Sequence, residues 1–182
     1  MGELIIDSAY TLDEVLAGKE IPQDIRSTLV IIEPQYISFD GKLHKGQLVV
    51  HEKVSEELQT IFMELLKLHF PIEKIIPVVF YNGNDDLSME DNNSSAFNYR
   101  VIHGTTELSN HSYGLAIDIN PKMNPYIARD GSVLPKNATH NFEEPGTLVP
   151  ESDAVRAFTS RGWEWGGDWQ RKDWQHFEKR IN

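Results

Sequence analysis

The sequence has no cysteine. Disulfides, thiolate nucleophiles and cysteine-type zinc sites are therefore excluded. Any metal must be held by histidine and carboxylates. Positive charge is also scarce: 17 Lys and Arg stand against 28 Asp and Glu, a formal net charge of -11. That balance argues against nucleic acid, which rewards clustered Lys and Arg. It argues equally against charge-driven attachment to anionic membranes or wall polymers. No apolar run is long enough to span a bilayer. The opening stretch MGELIIDSAY has no basic region and only a short apolar patch, so it does not read as a signal peptide.

What is present reads as one globular domain. The chain has 182 residues, of which 40% are hydrophobic and 25% charged, enough for a substantial core. No internal repeat or low-complexity linker divides it. Residues 1–40 read as an N-terminal extension packed on a main domain spanning 41–182. Within the extension, TLDEVLAG suggests a short helix capped by Thr11, and STLVIIE a strand. Residues 51–69 have a helical stripe of Val54, Leu58, Ile61, Phe62, Leu65 and Leu68, stopped by Pro71. Residues 75–81 (IIPVVFY) read as a strand, NGNDDLSMEDNNSS as a polar loop and AFNYRVI as a further strand. Residues 121–150 contain Pro121, Pro125, Pro135 and Pro145 and read as a long irregular excursion. A helix is expected over 152–160, ended by Gly162. The closing DWQHFEKR reads as a strand with Trp174, His176 and Glu178 on one face. The pattern predicts an α+β fold with a mainly antiparallel central sheet and flanking helices.

The stretch SNHSYGLAIDIN, residues 109–120, concentrates the chemistry. Leu115, Ile117 and Ile119 alternate with Ala116 and Asp118, so the aliphatics face a core and Asp118 faces the other way. His111 precedes a bend that Gly114 permits. Such a segment can place an imidazole and a carboxylate around one metal ion; a polar strand edge is the plainer alternative. Seven histidines are present. His44, His51 and His69 read as structural or exposed, and His103 and His140 as spare ligand candidates without a matching spacing. His176 stands out because Asp173 precedes it by three positions, as a general base accompanies a ligand histidine in helix-borne zinc sites. Two histidines and one carboxylate would leave a fourth zinc position open, as in catalytic rather than structural sites.

Ser109, His111, Gly114, Ala116 and Asp118 match S-x-H-x-x-G-x-A-x-D, and WEWGGDW and DWQHFE follow after a long gap. This combination resembles the zinc peptidases of the lysostaphin / D-Ala-D-Ala metallopeptidase group. It is most similar to the branch holding D-alanyl-D-alanine carboxypeptidases and the L-alanyl-D-glutamate endopeptidases of phage endolysins. The resemblance runs from GKLHKGQLVV to the C-terminus and takes in DDLSMEDNNSSAFNYR and AIDINPKMNPY. Residues 1–40 have no counterpart in it.

The resemblance implies a D-Ala-D-Ala carboxypeptidase / hedgehog-like fold. It implies one catalytic zinc ion on His111, Asp118 and His176, with Asp173 as general base. It gives Arg100 a substrate-positioning role, since a guanidinium fork matches two oxygens; a surface salt bridge is the alternative. Ser109 would contact substrate or hold the loop, with a local serine turn as the alternative. Trp163, Trp165 and Trp169, with Gly166 and Gly167, either line a cleft or pack at a tight turn, Trp163 being assigned to packing. The implied substrates are peptidoglycan stem peptides or muropeptides, which places the activity in periplasm or cell wall. The implied bond is L-Ala–D-Glu or D-Ala–D-Ala, with residues 121–150 shaping one end of the cleft and the protein acting as a monomer. A non-catalytic zinc-bearing binding or signalling module of the same fold is the rival. Such a module can lose Asp173 or Arg100, and this chain keeps both.

Overall fold

The computed structural model describes residues 3–102 and 104–181. His103, a spare ligand candidate, and the first two residues of the N-terminus lie outside the described residues. No helix among the described residues is long and apolar enough to cross a membrane.

The longest element is the helix Glu52–Lys67. Its stripe does what the spacing requires: Val54, Leu58, Ile61, Phe62 and Leu65 are buried, whereas Leu68 lies past the last turn and is exposed. The His51 ring caps its start, accepting the Lys53 N–H at 3.1 Å. At its end His69 turns left-handed and the Phe70 N–H returns to the Leu65 carbonyl, so Pro71 follows a helix already closed. The helix packs on an antiparallel pair, Leu29–Ile32 with Leu48–His51, and on the helix Asp153–Thr159, capped by Ser152.

The fold is a mixture of α and β, as expected. In place of one broad central sheet, the strands form several small sheets of two or three strands each. Most pairs are antiparallel. Ile5–Ile6 with Leu43–Lys45, and Lys74–Ile75 with Asn93–Ser94, are parallel. The sheet that holds Asp118 and His176 orders Glu164–Trp165, His176–Glu178 and Ala116–Asp118, all antiparallel. Its core face carries Ile117 opposite Phe177, and Phe177 stacks on Phe158 at 4.0 Å between ring centroids.

Several local expectations are corrected. Residues 75–81 do not form a strand: beyond Ile75 the chain turns at Pro77 into a 3-10 helix, Val78–Tyr81. Pro77 has no N–H for a ladder, and its fixed φ suits a helical start. The polar stretch after it contains a helix, Asp85–Glu90, capped by Asn84. Its acidic first turn suits the positive end of the helix dipole. Residues 96–102 are not a regular strand; Phe97 N–H bonds the Val49 carbonyl and Val101 bridges Leu108. The terminal strand is only His176–Glu178.

The proline-rich excursion carries one short hairpin, Tyr126–Ile127 with Val133–Leu134. Elsewhere it lacks a ladder, and two fully buried asparagines supply the missing partners. Asn120 donates to the Pro71 and Gly146 carbonyls. Asn124 donates to Ile119 and Gly146 and accepts the Leu148 N–H.

The N-terminal helix Leu12–Val15 has a reciprocal capping box between Thr11 and Glu14. Val15, Leu16 and Ile25 form a second hydrophobic cluster with Leu29, Val49 and Phe97; Tyr99 and Tyr113 pack against it. The first 40 residues therefore back the segment from Phe97 to Tyr113.

Gly114 is where that segment meets the strand Leu48–His51. Its φ is 66°, and a Cβ there would lie 2.5 Å from the His51 nitrogen and 2.8 Å from the Val50 carbonyl carbon. Both obstacles are backbone, so they cannot rotate away. Gly114→Ala should therefore lose about 2 kcal/mol or more of stability. Urea unfolding of the metal-free protein checks this, and a loss within about 0.5 kcal/mol, the range of an ordinary surface change, would contradict it.

Candidate metal centre

Three elements bring together three candidate ligands. His111 sits in the 3-10 turn Asn110–Tyr113, Asp118 ends the strand Ala116–Asp118, and His176 opens the terminal strand. The strand register sets His176 directly opposite Asp118. The ligand atoms of all three residues lie within 4.8 Å of one another, and all three residues are buried. His111 Nε2 is 3.2 Å from Asp118 Oδ2 and 3.2 Å from His176 Nδ1; His176 Nδ1 is 2.9 Å from Asp118 Oδ1.

The outer ring nitrogens fix which atoms face inward. His111 Nδ1 hydrogen-bonds the Ala96 carbonyl, which can only accept, so this nitrogen carries the proton and Nε2 offers its lone pair. His176 Nε2 is 3.2 Å from Glu178 Oε2, which also accepts the Asn110 amide at 2.8 Å. His176 Nδ1 is thus free to face the same point. Once His176 Nδ1 gives up the proton it shares with Asp118, two inward lone pairs beside a carboxylate repel unless a cation is shared. The donor set of two imidazole nitrogens and a carboxylate fits zinc.

Charge in the metal-free cluster follows from the same contacts. Burial works against a charge on His176, but the hydrogen bonds to Asp118 and Glu178 outweigh it and lift its pKa to about 10. Burial likewise opposes a charge on Asp118, yet the histidines hold its carboxyl well below the usual carboxylate range. The His176 proton must leave before that nitrogen can bind a metal. Affinity should therefore rise with pH, by about tenfold per unit between about pH 6 and 8. Competition with a chromophoric chelator at several pH values measures this; pH-independent affinity would contradict it.

Asp173 stands beside the three ligands. Its N–H bonds the Gly166 carbonyl and its carbonyl accepts the His176 N–H at 3.2 Å. Its Oδ1 is buried with no hydrogen-bond partner. Burial pushes its carboxyl up to about 6; His176 pulls the other way and Asp118 adds to the rise. A buried carboxylate oxygen without a partner is costly and persists in folds mainly where chemistry uses it.

The glycines of WEWGGDW have a packing role. A Cβ on Gly166 would lie 2.4 Å from the Asp173 carbonyl oxygen, and one on Gly167 would lie 2.3 Å from the Trp165 ring. Trp163 and Trp165 belong to the core, whereas Trp169 is half-buried with its ring 5.3 Å from that of His176.

Ser109 is buried; its hydroxyl accepts the His111 N–H at 3.3 Å and its own N–H donates to the Arg100 carbonyl. The Arg100 guanidinium lies on Asp85 at 2.9 Å, and its Nε is buried without a partner. His44 pairs with Asp7, His51 caps its helix, His69 is exposed and His140 stacks on Trp174; none joins the three ligands. Glu178 and Asn110, which orient His176, were not singled out as ligand supports. The period-two spacing of Glu178 from His176 on one strand face is the signal that carries the first; Asn110 has no such signal.

Residues 103–179 match the family model described as D-alanyl-D-alanine carboxypeptidase. The peptidoglycan L-alanyl-D-glutamate endopeptidase CwlK of Bacillus subtilis is 37% identical over 78 residues, covering 41% of this chain and 41% of that protein. The match thus spans well under half of the relative's length. No solved structure matches. The segment that carries the candidate metal centre is thus similar both to the D-alanyl-D-alanine carboxypeptidase family and to a peptidoglycan endopeptidase. All four residues of the centre fall inside the matched segment, and Arg100 lies just before it.

Proposed function

We propose that this chain is a zinc-dependent peptidase acting on peptidoglycan stem peptides, with the L-Ala–D-Glu bond as its first candidate and the D-Ala–D-Ala bond as its second. The observation that carries this reading is the convergence of His111, Asp118 and His176 beside Asp173, whose buried Oδ1 has no hydrogen-bond partner. The choice of bond is supported by the stated activity of the Bacillus subtilis relative.

A zinc ion held by the three ligands would supply a Lewis acid and make water easier to deprotonate at neutral pH. Asp173 takes the proton of the attacking water as its oxygen bonds the peptide carbonyl carbon. It then returns that proton to the leaving nitrogen as the C–N bond breaks, giving a carboxylate and an amine. A carboxyl raised by burial is suited to both halves of this exchange. Ser109 holds the backbone of His111, and Arg100 orients the substrate through paired oxygens. A non-catalytic zinc module has no use for a partnerless buried oxygen on Asp173, which disfavours that rival.

Arg100→Lys keeps the charge and loses the planar fork. Zinc content should be unchanged and kcat/KM on stem peptides should fall by about tenfold or more. Kinetics equal to the parent's would return Arg100 to a salt-bridge role. Mass spectrometry of the products from a pentapeptide stem separates the two bonds, because one cut releases D-Ala and the other divides the stem after L-Ala.

A further inference from the structure

The first 40 residues reach the substrate arm through one cation. Lys19 Nζ donates to the Asn98 side-chain carbonyl at 2.7 Å and to the Tyr99 carbonyl at 3.2 Å, immediately before Arg100. Room for it is built in. A Cβ on Gly83 would lie 2.8 Å from Lys19 Cε and 3.0 Å from its Nζ, and Gly83 has a φ of 73°. The Lys19 ammonium is part-buried and interacts with the charges of both Asp85 and Arg100. Asp85 in turn pairs with Arg100 at 2.9 Å and accepts the Asn98 amide at 3.3 Å.

This group holds two cations, Lys19 and Arg100, against one carboxylate, Asp85. Its own members leave one positive charge uncompensated, in a chain whose net charge is -11. An ammonium has three donors. Two of those of Lys19 are committed to Asn98 and Tyr99, and one remains. The backbone of Arg100 is tied to the metal centre: its N–H bonds the Ser112 hydroxyl at 2.9 Å, and its carbonyl accepts from the Ser109 N–H and the Ser112 hydroxyl. Ser109 and Ser112 flank His111.

We propose that Lys19 joins Arg100 in a subsite that binds a carboxylate of the peptide substrate, with Asp85 as its resident counter-ion. The ligand's identity as a peptide rests on the peptidase reading above. The subsite makes the N-terminal segment part of substrate recognition. Asp85 marks the chemistry, because a carboxylate is what the Arg100 guanidinium already holds beside Lys19. The free Lys19 donor and the guanidinium edge take the second one.

The test compares two stem peptides, one with free carboxylates and one with the same groups amidated. Binding is measured by calorimetry on metal-loaded Asp173→Asn protein, which removes turnover. The free peptide should bind about tenfold more tightly than the amidated one. Lys19→Met should abolish that preference and leave affinity for the amidated peptide unchanged, and Lys19→Arg should restore it. Equal weakening of both peptides by Lys19→Met would reduce Lys19 to a structural tie. An undiminished preference in Lys19→Met, or no binding of either peptide, would also overturn the proposal. Cleavage by the unmodified protein is scored separately. Cleavage of both peptides with no Lys19-dependent preference refutes the subsite alone. A Lys19-dependent preference without cleavage refutes the peptidase alone.

Discussion

Replacing His111, Asp118 or His176 by alanine should strip the metal from the protein. A set of three ligands has no spare, and each change leaves two. Zinc per chain should fall from about one to near zero after dialysis against metal-free buffer. The stabilisation that zinc lends the folded state should vanish with it. For the parent that stabilisation is about 4 kcal/mol when free zinc exceeds its dissociation constant a thousandfold. Asp118→Ala should do more, because its carboxylate faces both imidazoles inside the core. Removing it leaves a buried histidine pair without its counter-ion, at a cost of about 3 kcal/mol even in the metal-free protein. Metal analysis and melting with and without zinc separate these effects. Full zinc occupancy in all three variants would remove the assignment.

Asp173→Ala should have the opposite signature. Its side chain is not needed as a ligand, so zinc content and the zinc-dependent shift in melting should match the parent. Turnover should fall by about 100-fold or more, the usual cost of a lost general base. Stability should move in an unusual direction. Asp173 has a carboxyl raised by burial, so its ionisation favours the unfolded chain. Its contribution is fully present below the unfolded carboxylate value and is lost as pH rises through about 6. The metal-free Asp173→Ala protein should therefore gain on the parent as pH rises from about 4 to about 7. A variant with normal turnover would place the base elsewhere, with Glu178 or Glu107 next in line.

Periodicity made the placing of His111 and Asp118 legible, while their grouping with His176 came from the family resemblance. The aliphatic alternation at 115–119 fixed which way Asp118 faces, and the bend at Gly114 fixed where His111 sits. The same periodicity marked the helix 52–67. It failed between residues 75 and 102, where apolar runs read as strands. There Pro77 and the Asn84 cap decide the conformation, and neither is visible in a hydrophobic pattern. The sheets proved smaller than expected because side-chain amides of Asn93, Asn120 and Asn124 replace ladder hydrogen bonds. Such replacements depend on contacts between distant segments and leave no local signal. The same holds for Lys19, whose partners lie about eighty positions away.

The most direct test of the account is the digestion of purified muropeptides by the zinc-loaded protein, followed by mass spectrometry. The account predicts hydrolysis of a stem-peptide bond, the L-Ala–D-Glu bond first. That hydrolysis should be abolished by chelation, restored by zinc, and absent from Asp173→Ala protein carrying a full complement of zinc. Muropeptides left intact by a protein with zinc bound at His111, Asp118 and His176 would contradict it.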